Sequence, residues 1–281
     1  MERMPESDSV LHRHLRVLDT FDVRHPFLTL SEIAVASGLP VSTTHRLVGE
    51  LEREGLLERL PDRSYRLGVR LWEFASRAPR ALGLREVARP WLEAVHDRVK
   101  QHTQLGVRSG RSVLFIERMS TRESVINATL IGGRTPLHAS SSGLVLLALA
   151  DDATIADVLA HIPPDFPDPL MRTGTGLRQR LRQVREDGYA VANGYIHPES
   201  RGIAVPVRDA DGVHAAIGVV VANDGSSPNP HIAVLHRAAA GITRDLAQAY
   251  RPDMEHRIHG LRPHVGRSRR SLEYLEGLAS G

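Results

Sequence analysis

The chain has 281 residues, of which 41% are hydrophobic and 25% charged, a balance that excludes wholesale disorder and leaves room for two domains with separate cores. No apolar run approaches the ~18 residues of a membrane span, and the charged opening Met1-Glu-Arg-Met-Pro-Glu-Ser-Asp8 has no secretory apolar segment, so the expected compartment is the cytoplasm. With no cysteine, disulfides, thiolate zinc sites and a cysteine nucleophile are excluded, and a net charge of +3 from 36 basic and 33 acidic residues does not announce a nucleic-acid binder.

Taken in chain order, Leu11, Leu15, Leu18 and Phe21 recur at helical spacing. Thr29-Leu-Ser-Glu32 reads as a capping box opening a second helix, and Gly38 suits its left-handed end. Pro40 suits the first turn of a third helix that runs to about Glu54 with Thr44, Leu47, Val48 and Leu51 as its inner stripe, stopped by Gly55. Two short extended pieces, Leu56–Leu60 and Ser64–Leu67, are joined by the turn Pro61-Asp62-Arg63. Three helices followed by a hairpin make a winged helix-turn-helix. A helical stretch Val69–Arg77 then leads to Pro79.

The second half mixes strands and helices. Leu84–His102 is amphipathic, with Pro90 marking a bend or the helix start. Strands are expected at Gln104–Arg108, Ser112–Arg118, Val125–Ile131, Tyr189–Tyr195, Gly202–Val207 and Val213–Ala222, the last two joined by the turn Asp209-Ala-Asp-Gly212. Helices are expected at Leu144–Ala150, Ala153–His161, Leu177–Glu186 and Ile232–Tyr250. The whole is an α+β chain with an antiparallel sheet of about six strands. It divides into residues 1–68, a linker helix at 69–83, a second domain at 84–250, and an Arg/His/Gly-rich tail at 251–281 of uncertain order.

Ser42, Thr43, His45 and Arg46 project from the first turns of the third helix, opposite its apolar stripe. Short hydroxyls and an arginine there suit the major groove, where Arg46 can bond guanine or phosphate. Arg59, Arg63 and Arg66 in the hairpin would sit beside the flanking backbone or minor groove. Residues 1–79 hold 11 arginines against 12 carboxylates, so one copy would bind DNA poorly and several recognition helices are needed. The 15 histidines include His12-x-His14, His96…His102 and His256-x-x-His259, none with a familiar set of partner ligands, so no metal or cofactor is expected.

The chain resembles the IclR family of bacterial transcriptional regulators over about residues 9–250. The motifs are Thr29-Leu-Ser-Glu-Ile-Ala34, Gly38-Leu-Pro-Val-Ser-Thr-Thr-His-Arg-Leu-Val-Gly-Glu-Leu-Glu-Arg-Glu-Gly55, Ser64-Tyr-Arg-Leu-Gly68, Gly133-Arg-Thr-Pro-Leu-His-Ala139, Val184-Arg-Glu-Asp-Gly-Tyr-Ala190 and Arg201-Gly-Ile-Ala-Val-Pro-Val207. The resemblance implies a winged helix, a linker helix and a GAF-like effector domain, assembled as homodimers or homotetramers on double-stranded operator DNA, away from membranes. It also implies a pocket for a small organic effector beside the loop His138-Ala-Ser-Ser-Ser-Gly143. There His138, Ser140, Ser141 and Ser142 are the candidate contacts, the serines and helix N–H groups forming a cradle for a carboxylate or hydroxyl. Many relatives carry an acidic residue where this chain has Ala192-Asn193 and a cysteine where it has Gly202, so Asn193 and Gly202 join the candidate site. The loss of an acceptor and a thiol predicts a larger ligand, such as an aromatic acid or amide, and more room.

The resulting expectation is a ligand-responsive regulator of a catabolic pathway rather than an enzyme. The alternative is a small-molecule hydrolase using the Ser140–Ser142 loop with His138 and a carboxylate such as Asp187. No Gly-x-Ser-x-Gly elbow supports it.

Overall fold

The computed structural model describes residues 9–22, 24–76, 79–121, 129–209 and 212–249. The tail at 251–281, residues 125–128 of the strand expected at Val125–Ile131, and the tip of the Asp209–Gly212 hairpin lie outside the described residues.

The N-terminal part opens with α1 (Val10–Leu18), capped by the Ser9 hydroxyl, which accepts from the His12 N–H. In α2 (Leu30–Ser37) the capping box is complete: Thr29 accepts from the Glu32 N–H, and Glu32 accepts from the Thr29 N–H at 2.7 Å. Gly38, at φ 64°, ends α2 in the left-handed region, where an L-residue with a side chain is strained. Next comes α3 (Val41–Arg53), with Pro40 as its cap rather than its first helical residue. The wing consists of β1 (Leu57–Arg59) and antiparallel β2 (Tyr65–Leu67), with Leu28 bridging to Tyr65 as a third extended piece. Val17, Ile33, Leu47, Val48, Leu51 and Leu57 form the core of this part.

The start of α1 turns its apolar residues outward. Leu11 and Leu15 are exposed, 69% and 47%, while the helix buries Val17. The short α4 (Arg70–Ser76) also buries nothing, and it exposes Trp72 and Phe74.

The second part is built on α5 (Pro79–Val99), a 21-residue helix that runs straight past the expected start at Leu84 with Pro90 inside it. Pro90 therefore does not begin the helix. Leu84, Ala88, Leu92 and Val95, spaced one turn apart, are buried against the sheet, and that packing outweighs the hydrogen bond lost at proline. The sheet holds β3 (His102–Ser109), β4 (Ser112–Met119), β5 (Arg134–Pro136), β6 (Ala190–Asn193), β7 (Ser200–Asp209) and β8 (Gly212–Ala222). All pairings are antiparallel, in the order β5-β4-β3-β8-β7-β6.

One face of this sheet is covered by α5 and α9 (Asn229–Ala249) through Leu105, Ile203, Val205, Ile217, Leu235 and Ile242. The other face is covered by α6 (Ser141–Ala148), α7 (Asp152–Leu159) and α8 (Gly174–Asp187) through Phe115, Leu144, Leu147, Leu177, Ala204 and Ala216. Strands buried on both faces need apolar residues at consecutive positions, which Ile203–Val205 supplies. Gly241 lets α5 and α9 close: a Cβ there would lie 2.3 Å from the Trp91 ring. Trp91 also donates its indole N–H to Asp245 at 2.8 Å.

Two strand and helix expectations are corrected. Residues 129–131 are not in a strand; Leu130 and Ile131 enter a turn with Gly132 at φ 79°, and β5 follows at Arg134–Pro136. In turn, α6 starts at Ser141 rather than Leu144, because the Ser140 hydroxyl accepts from the Gly143 N–H at 3.1 Å and caps the helix three residues earlier.

Candidate functional site

Two regions concentrate polar chemistry. The first is the outer face of α3. Thr44, Leu47, Val48 and Leu51 lie at i, i+3, i+4 and i+7 and are buried, which leaves Ser42, His45 and Arg46 exposed and Thr43 half-buried on the opposite side. The Thr44 hydroxyl donates to the Pro40 carbonyl at 3.1 Å, spending its polarity within the helix. Val41, a residue that periodicity alone does not single out, heads this exposed face at 58% exposure.

Arg46 donates to Glu50 at 2.6 Å, and His14 of α1 lies 2.8 Å from the same carboxylate. Burial works to raise the Glu50 pKa, but the bonds from Arg46 and His14 outweigh it and hold the carboxyl below its ordinary value. The wing arginines differ from one another. Arg66 is bidentate to Glu58 at 2.9 and 3.0 Å, and Arg59 lies 5.8 Å from the centre of the Tyr65 ring. Arg63 stands exposed at the turn with φ 69°. The turn is tied by Asp62, which accepts from the N–H and hydroxyl of Ser64.

The second region is a small cavity of about 30 Å³ between the sheet and α6, lined by Gln104, Thr129, Ser140, Ser141, Tyr195 and Gly202, among others. Strand order brings these together: β3, β8, β7 and β6 are neighbours, so Gln104, Val220, Gly202 and Ala192 form its floor. The cavity accommodates a water molecule or two rather than an organic ligand. Gly202 does not create the room expected of it. A Cβ at that position would lie 2.7 Å from the Ser141 hydroxyl, which occupies the space instead.

Of the effector contacts expected from sequence, Ser140, Ser141 and Gly202 line the cavity, whereas His138, Ser142 and Asn193 do not. His138 is buried edge-on against Phe166, their ring centres 5.0 Å apart, and burial holds its pKa below the ordinary value. Phe166 packs in turn against Tyr195 at 5.1 Å, and the Tyr195 hydroxyl donates to Asp168 at 2.7 Å. Burial first, and then that bond to a carboxylate, push the phenol pKa well up. Asn193 is exposed and accepts from Arg201 at 2.9 Å. Ser142 is fully buried, and its hydroxyl has no partner among the described residues.

Gln104, Thr129, Tyr195 and Ser200 were missed because they sit on elements far apart in the chain. Their juxtaposition follows from the strand order, which no local periodicity reports. A larger gap of about 700 Å³ lies between the Phe21–Phe27 segment with the wing and the Leu130–Arg134 turn; its walls are exposed side chains such as Phe27, Leu67 and Ile131.

The geometry does not assemble hydrolytic machinery. Ser140 is engaged as a helix cap, His138 faces Phe166, and Asp187 accepts from Gln183 at 2.9 Å. Among the described residues no cluster of three His, Asp or Glu side chains could hold a metal, and no helix is long and apolar enough to cross a membrane.

Residues 10–61 match the model of the IclR helix-turn-helix domain, and residues 77–240 match the model of the bacterial transcriptional regulator IclR C-terminal domain. The chain is similar to the HTH-type transcriptional regulator XynR of Escherichia coli K12, at 32% identity over 73% of this chain and 81% of that protein. It is also similar to the Pca regulon regulatory protein of Pseudomonas putida, at 29% identity over 76% of this chain and 75% of that one. Among solved structures, an IclR homolog from Microbacterium hydrocarbonoxydans complexed with 4-hydroxybenzoate superposes with a TM-score of 0.78 at 43% identity, covering 85% of this chain and all of that one.

Proposed function

Because this chain belongs to the IclR family of bacterial transcriptional regulators, we propose that it grips operator DNA with the α3 helices of paired subunits and alters that grip when a small aromatic acid enters beneath α6 and widens the water-sized cavity there. The observation that carries the reading is the division of α3 into a buried stripe and an exposed Ser42–His45–Arg46 edge. Arg46 reads guanine or phosphate, Ser42 and Thr43 bond bases or backbone, His45 flanks them, and Val41 offers an apolar contact to a thymine methyl. Arg63 and Arg59 meet the backbone beside the wing, and Arg66 joins them by exchanging Glu58 for phosphate.

Residues 1–68 act as the DNA head, 69–83 as the linker and 84–250 as the GAF-like effector domain. Leu11 and Leu15 on α1 and Trp72 and Phe74 on α4 are apolar and exposed, which fits contact between subunits in a dimer or tetramer. Such an assembly supplies the several recognition helices that the near-neutral head requires. The effector contacts are Ser140, Ser141 and Gly202, with Gln104, Thr129 and Tyr195 added. Ser142, His138 and Asn193 act behind them by packing and hydrogen bonding.

The aromatic-acid reading draws on the 4-hydroxybenzoate held by the similar Microbacterium protein and on a relative that regulates the pca regulon. Control of a catabolic operon, in the cytoplasm, follows from it. The test is footprinting of the full chain on DNA flanking its own gene, with and without 4-hydroxybenzoate. A protected pseudo-palindrome that changes on adding the acid supports the proposal; no protection under either condition overturns it.

A further inference from the structure

Arg118 has no carboxylate partner among the described residues. It stands on β4 directly opposite Gln104 of β3, so both side chains leave the sheet on the same face, the face that carries the cavity. Its neighbour Glu117 points to the other face, where Arg85 of α5 donates to it at 2.9 Å, so that negative charge is already used. The Arg118 guanidinium lies 3.2 Å from His102 Nδ1, while its Nε is buried with no acceptor. Burial draws the Arg118 pKa down, which marks a cation held partly out of water with no counter-charge beside it among the described residues. A charged group with one buried, unbonded N–H is costly to hold, and its strongest remedy is a carboxylate with two oxygens matched to the guanidinium fork.

We propose that Arg118 binds the carboxylate of the effector, approaching the cavity from the Gln104 side. This deepens the function proposed above and rests on it. From β4 to β7 the sheet spans three strand spacings, roughly 14 Å, and an arginine side chain covers about half of that. The remainder is the length of a single aromatic ring, which would widen the cavity as it lay over Val220 toward Ala192, with the hydroxyls of Ser140 and Ser141 at its far end. The ligand chemistry this selects is a flat ring with an acid at one end and a hydrogen-bonding group at the other.

The test is calorimetry of the full chain with 4-hydroxybenzoate and with its neutral analogue 4-hydroxybenzamide. The wild type should bind the acid at least tenfold more tightly than the amide, and Arg118→Gln should bind both equally, with amide affinity unchanged. Arg118→Gln that keeps the acid preference overturns the assignment while leaving the cavity in place as the effector site. Wild-type protein that binds neither compound overturns the site and the arginine together. Should Arg118→Gln not fold, the side-chain ¹⁵Nε signal of the wild type that disappears in Arg118→Lys decides the matter. It should shift with the acid and not with the amide; a signal that ignores both overturns the proposal.

Discussion

Arg46 and Glu50 are joined at 2.6 Å one turn apart on α3, so the arginine proposed to read DNA is held by an acid of its own helix in the free protein. Binding must exchange that carboxylate for phosphate or guanine. Arg46→Ala should lower operator affinity about tenfold or more, with melting temperature and ligand affinity unchanged. Glu50→Gln should raise affinity by roughly threefold at low salt, the gain fading as salt is added. Fluorescence anisotropy on a footprinted fragment measures both, and a fall in affinity for Glu50→Gln would mean that the acid aims Arg46 rather than restraining it.

Ser142 gives a sharper test of the α6 region than its position in the serine run suggests. Its hydroxyl is buried without a partner, so Ser142→Ala removes an unmet polar group and should stabilise the chain by about 1 kcal/mol. Ser142→Val adds bulk where a Cβ on Gly218 would already come within 3.3 Å of the hydroxyl, and should cost about 1–3 kcal/mol. Urea unfolding of the pair checks the order; destabilisation by alanine would reveal a bond that the serine makes.

His138 predicts a pH effect with a definite sign. Burial lowers its folded-state pKa below 6.5, so the unfolded chain takes up the proton more readily. Stability is therefore full above that value and is lost as pH falls through the folded-state pKa. His231 and His236 are shifted the same way, so the informative quantity is a difference. His138→Phe, which keeps the edge contact to Phe166, should lose less melting temperature than wild type between about pH 7 and about pH 5. Equal losses would remove His138 from the acid response.

Gly143 sits where α6 comes down on the preceding turn. A Cβ there would lie 2.1 Å from the Leu137 carbonyl oxygen, which is backbone and has little freedom to move. Gly143→Ala should cost about 3 kcal/mol or more and abolish the effector response together with local order near Ser140. A variant with wild-type melting and response would show that the loop yields easily.

Local chemistry made much of this architecture legible. Thr29 and Glu32 cap each other, Gly38 adopts the left-handed conformation, and Asp62 ties the wing turn, because each depends on residues only a few positions apart. The three residues of β5 escaped notice since Arg134–Pro136 follows two glycines and is too short to show alternation. The cavity was half legible. Ser140 and Ser141 stand out as a run, but Gln104 and Tyr195 reach them only through pairings between β3, β8, β7 and β6. Leu11 and Leu15 were legible as an apolar face available to another subunit, and they are exposed, whereas Phe21 of the same run enters the core, a difference that spacing alone does not report.

The clamp of Trp91 between Gly241 and Asp245 ties α5 to α9. Leu84, Ala88, Leu92 and Val95 seat the same helix on the sheet, so α5 has no free pivot and follows the sheet as one body. Its first turn, at Pro79, therefore carries any displacement of the sheet into the segment that leads back to the winged helix.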